Sequence, residues 1–109
     1  MLKPTDQLPE QDRFNAWMLG WVAVDTESGA FLFRTDGRSR TMTAPKYILI
    51  LPNKGLTERR SLFHDKDWDY PHGRKIVRAW SDDEAIANAN GRLPKMLEQR
   101  AAALAAVQL

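Results

Sequence analysis

The chain has 109 residues, a formal net charge of +2, 43% apolar residues and 28% charged residues. That length fits one domain, and the apolar and charged fractions are those of a folded protein rather than a disordered one. There is no cysteine, which excludes disulfides, thiolate metal sites and a cysteine nucleophile, and fits a reducing cytoplasm.

Residues 1–13 are polar, contain Pro4 and Pro9, and read as an irregular N-terminal arm ahead of a single domain over residues 14–109. No apolar stretch follows Lys3, so no secretory leader is expected. The segment from Phe14 to Val24 is rich in Trp and Val, and we read it as one strand. A helical alternative stands beside it. Pro9 suits a helix start, Glu10 and Asp12 follow it, and Phe14, Trp17, Met18 and Trp21 recur at helical spacing. On that alternative the helix ends at Gly20 and only Trp21 to Val24 is strand. The cluster Asp25-Thr26-Glu27-Ser28-Gly29 predicts a hairpin turn, and Ala30 to Thr35 a second strand. Asp36-Gly37 predicts another tight turn, followed by a polar strand from Arg38 to Thr43. Tyr47-Ile48-Leu49-Ile50-Leu51 is continuously apolar and largely aliphatic, the mark of a central strand buried on both faces.

Residues 56–74 show no period and read as a long surface loop before a last strand from Lys75 to Trp80. Ser81 and Glu84 stand at the spacing of a capping box, and Asp82, Asp83 and Glu84 suit the positive end of a helix dipole. That helix is expected to stop at Gly91, with a second one starting at Pro94. Strands followed by helices predict an α+β fold, an antiparallel sheet of four or five strands in meander order, packed on one face by two C-terminal helices. The expected core is Trp17, Leu19, Trp21, Val22, Val24, Phe31, Phe33, Ile48, Ile50, Val77, Ala85, Ile86, Leu97 and Leu104.

Charge is unevenly spread. Residues 31–80 hold eleven Lys and Arg against five Asp and Glu, a balance of +6, while residues 1–30 stand at −3 and residues 81–109 at −1. The candidate binding surface follows from this: Arg34, Arg38, Arg40, Lys54, Arg59, Arg60, Arg74, Lys75 and Arg78, with Trp68 and Tyr70 as its aromatics. Arginine and aromatic side chains dominate protein–protein interface energy, and the same combination serves phosphate contact and base stacking. The weak metal candidates are His64, Asp67, Asp69 and His72; their spacing matches no helix-face motif, and Lys66 lies among them. No phosphate-binding glycine loop or nucleophile elbow is present, so no catalytic residue is assigned and no cofactor is expected.

The expectation is therefore a non-enzymatic, cytoplasmic binding module that acts through a protein partner. An inhibitor or adaptor would fit, as among the accessory proteins of mobile elements. A nucleic-acid binder using the basic segment 34–78 is the alternative, and a metal-dependent enzyme at the histidine loop the third reading. The alanine-rich last helix would let a second copy approach, so a monomer and a homodimer both fit. No membrane association is expected, because the longest apolar run is far shorter than the roughly 20 residues a span needs.

Overall fold

The computed structural model describes residues 1–35, 43–52 and 71–107, without the side chains of residues 71, 72, 104 and 107. In chain order the elements are β1 (Lys3–Pro4), a 3-10 turn (Thr5–Gln7), α1 (Glu10–Leu19), β2 (Trp21–Val24), β3 (Phe31–Arg34), β4 (Lys46–Pro52), β5 (Pro71–Arg78) and α2 (Asp82–Val107). The five described strands form one antiparallel sheet in the order β1-β2-β3-β4-β5, the meander expected from the sequence.

Register decides which side chain meets which layer, because alternate residues face opposite sides of a sheet. Leu32, Tyr47, Leu49, Leu51 and Val77 pack with Ala85, Ala89, Leu93 and Met96 of α2 into the larger core cluster. Trp21, Val24, Phe31, Ile48 and Ile50 form a second cluster on the opposite face, with Ala16 of α1. There the Trp21 and Phe31 rings stack with centroids 4.1 Å apart. A bulge between Trp21 and Ala23 divides β2 between the layers. It lets Val22 and Ala23 both serve the α2 side while Trp21 and Val24 serve the other.

The N-terminal arm is more ordered than the sequence suggests. β1 pairs with β2, and the Asn90 side chain clasps the Leu2 backbone, accepting its N–H at 2.7 Å and donating to its carbonyl at 3.1 Å. The strand expected over residues 14–20 is a helix instead. Glu10 and Asp12 lie in its first turn, and Gly20 closes it at φ +74°, donating to the Ala16 and Trp17 carbonyls. Trp17 and Leu19, both expected in the core, are exposed as a result.

The hairpin turn forms where expected. Gly29 adopts φ +80°, and Asp25 exchanges backbone hydrogen bonds with Gly29 and Ala30. Tyr47 to Leu51 is buried throughout, as the apolar run predicts. The last strand begins at Pro71 and ends at Arg78, earlier at both ends than its expected range. The strand expected from Arg38 and most of the loop expected over residues 56–74 lie outside the described residues.

A single helix, rather than two, covers the α2 face, and it runs through both Gly91 and Pro94. Ala85, Ala89, Leu93 and Met96 are buried on one continuous stripe, whereas Gly91 and Pro94 point to solvent. A proline inside a helix costs about 3 kcal/mol. Burying Leu93 and Met96 returns roughly 1.5–3 kcal/mol each, so packing carries the helix across the break. At its start Ser81 caps the helix as expected, its hydroxyl accepting the Glu84 N–H, while the Glu84 carboxylate accepts from the Trp80 N–H, one residue before the Ser81 N–H of a standard capping box.

Candidate binding surface

α1 presents an apolar face to solvent. Phe14, Trp17 and Met18 are 56%, 74% and 64% exposed. Three and four residues apart, they are neighbours on one side of the helix, and the Phe14 and Trp17 rings lie 6.3 Å apart. The helix rests on the sheet mainly through Ala16, which is fully buried. Its large side chains are therefore spent on the surface and its small one on the core, the reverse of an ordinary amphipathic helix. None of these residues belongs to the binding surface expected from the sequence. The signal was present in the helical spacing of Phe14, Trp17 and Met18 and in the stop at Gly20.

The cationic surface expected from the sequence is split where it is described. Arg34 pairs with Tyr47 and Tyr47 with Val77, so Arg34 shares the α2 face of the sheet. Lys75 pairs with Leu49 and falls on that same face. Arg74 pairs with Ile50, and Arg78 with Lys46, which places both on the opposite face. Arg74, Lys75 and Arg78 are all exposed. The Arg78 guanidinium also donates to the Ala44 carbonyl. Arg38, Arg40, Lys54, Arg59, Arg60, Trp68 and Tyr70 lie outside the described residues, as do His64, Asp67, Asp69 and the imidazole of His72.

Two polar clusters elsewhere are occupied by the fold itself. Tyr47, 1% exposed, donates its phenolic proton to Asp82 at the first turn of α2 over 2.6 Å. Burial, then the Asp82 carboxylate, pushes the phenol up to about 12, with Arg34 opposing the shift. The group is a neutral structural donor at any physiological pH. At the hairpin turn, the Asp25 carboxylate is buried and accepts from the Ser28 hydroxyl at 2.6 Å and from the Glu27 N–H at 3.2 Å. The amine of Met1 lies 3.4 Å from it. Arg100 reaches across from α2 and donates to the carbonyls of Ser28 and Pro52. Burial lowers its pKa, and the negative charge of Asp25 works against that. A cavity of about 310 Å³ opens beside Asp25, lined in part by Lys3, Leu8, Val24 and Glu27. Its one buried carboxylate is already committed to these partners, which leaves it poorly suited to hold a ligand.

Among the described residues no helix is long and apolar enough to cross a membrane. Comparison with family models found no match, and comparison with curated proteins and with solved structures found no significant relative.

Proposed function

We propose that the protein is a non-enzymatic binding module that recognises another protein through the apolar face of α1. The exposure of Phe14, Trp17 and Met18 on one side of a short helix supports this reading. Large apolar side chains grouped on a surface are costly in water and mark interaction sites. Trp anchors are prominent among the residues that carry binding energy, and residues spaced i, i+3, i+4 are what a hydrophobic groove reads in a docked helix. The partner accordingly offers an apolar groove, and the sheet beneath α1 acts as a rigid platform. An inhibitor or an adaptor would both work in this way.

The test is affinity capture with cross-linking from a lysate of the native host, comparing the wild type with Trp17→Ala and with Trp17→Lys/Met18→Lys. Both changes fall on exposed positions, so thermal stability should stay within about 0.5 kcal/mol of wild type. Captured proteins should be lost from Trp17→Ala and absent from the double variant. An unchanged set of cross-linked partners would refute the assignment of this face.

A further inference from the structure

We infer that the outer edge of β5 takes an extended acidic segment of a partner protein as an additional strand. This goes beyond the α1 reading and rests on different residues.

Among the described residues β5 is the last strand of the sheet, hydrogen-bonded to β4 on one side. The direction of its backbone groups follows from two bonds. Ala79 donates to Pro45, so Pro45 and Ala79 form a hydrogen-bonded pair. Such pairs alternate along an antiparallel ladder, so Val77, Lys75 and Gly73 aim their N–H and C=O groups at β4. Thr35 donates to Lys46, which turns Lys46, Ile48 and Ile50 toward β3 and gives the same phase. Arg74, Ile76 and Arg78 therefore point their backbone groups outward. Among the described residues no strand pairs with that edge.

The same three residues carry their side chains on the face opposite α2, since they pair with Ile50, Ile48 and Lys46. The edge thus displays cation, apolar, cation in regular alternation, and Ile76 is 51% exposed between the two arginines. Charge selects the occupant. A second copy pairing antiparallel about Ile76 would set Arg74 against Arg78 of the other chain, and like charges directly opposite destabilise a pair. A segment reading acid, spacer, apolar, spacer, acid would set a carboxylate against each arginine and an aliphatic group against Ile76. Its backbone would supply the ladder bonds, as in other strand-addition complexes.

The probe is a fluorescein-labelled peptide, Ser-Glu-Thr-Val-Thr-Glu-Ser, blocked at both ends and titrated into the full chain by anisotropy, beside its Glu-to-Lys counterpart. The acidic peptide should bind at least about tenfold more tightly than the basic one, weaken with added salt, and slow amide exchange at Arg74, Ile76 and Arg78. Ile76→Pro removes an outward N–H and leaves the bonds to β4 intact, a placement edge strands tolerate. Binding should fall at least about tenfold in that variant, with its melting transition retained. In Arg74→Glu/Arg78→Glu the preference should pass to the basic peptide. Equal binding of the two peptides by wild type overturns the proposal, as does undiminished binding by a folded Ile76→Pro protein. If the arginines merely guard the edge against self-pairing, neither peptide binds and the proposal fails. It fails equally if a deoxythymidine oligonucleotide binds where the acidic peptide does not.

Discussion

Replacing Tyr47 by Phe removes one oxygen from the contact between the sheet and the start of α2, and its consequences change sign with pH. At neutral pH the variant loses a 2.6 Å bond to a carboxylate. Hydrogen bonds to charged groups contribute about 1.5–3 kcal/mol, and Asp82 is exposed and can take water instead, so the cost should sit near the low end, about 1.5 kcal/mol. In alkali the phenol behaves differently. Its folded-state pKa is raised from 10.0 to about 12, so the folded chain keeps a proton that the unfolded chain releases. The resulting stabilisation is complete below pH 10 and is lost as pH rises from 10 toward about 12, for a total of up to about 2.7 kcal/mol at 1.36 kcal/mol per pKa unit. Phe is blind to this. The wild-type advantage of about 1.5 kcal/mol should therefore vanish near pH 11 and invert above it. Urea unfolding of both proteins from about pH 8 to pH 11.5 measures the crossing. The difference in tyrosinate absorbance between the two proteins isolates this phenol, because the chain has only two tyrosines. A difference titration with its midpoint near the unperturbed value of 10, or equal stability of the two proteins at about pH 8, would refute the account.

Two further substitutions probe the helices. Gly20→Ala should destabilise the fold by about 1 kcal/mol in chemical denaturation. Space is not the cause, since the new Cβ would meet the Arg34 carbonyl oxygen at an ordinary 3.7 Å; the cost lies in holding a side chain at φ +74°. Pro94→Ala should stabilise the protein by about 1–2 kcal/mol, because it restores a helical N–H at an exposed position and the looser unfolded chain returns only part of that gain. A lower melting temperature for Pro94→Ala would mean that α2 relies on the proline.

The hairpin turn, β4 and the start of α2 were legible because their signals are local. The Asp25–Gly29 turn, the apolar run from Tyr47 and the Ser81 cap each state their structure within a few residues. The helices were harder, for opposite reasons. In α1 the bulky residues face water, so hydrophobicity suggested a buried strand and concealed the exposed apolar face of a helix. In α2 the local stop signals, Gly91 and Pro94, are genuine, but they lie on the solvent side and are overruled by a stripe buried against distant strands. The described part of the expected cationic surface is divided between two faces for a related reason. Arg34, Arg74, Lys75 and Arg78 are near each other in composition counts, yet the two-residue alternation of a strand sends Arg74 and Lys75 to opposite sides of the sheet.

Arg100 marks a division within α2. Ahead of it, the helix is anchored against the sheet once per turn, through Ala85, Ala89, Leu93 and Met96; behind it, Ala101, Ala102, Ala103, Ala105 and Ala106 are exposed. The guanidinium, bonded to one carbonyl in the hairpin turn and another at the end of β4, is the rivet between these parts. Alanine's own preference for the helix favours the final turns, so the five exposed alanines there can be altered one at a time with little consequence for the sheet.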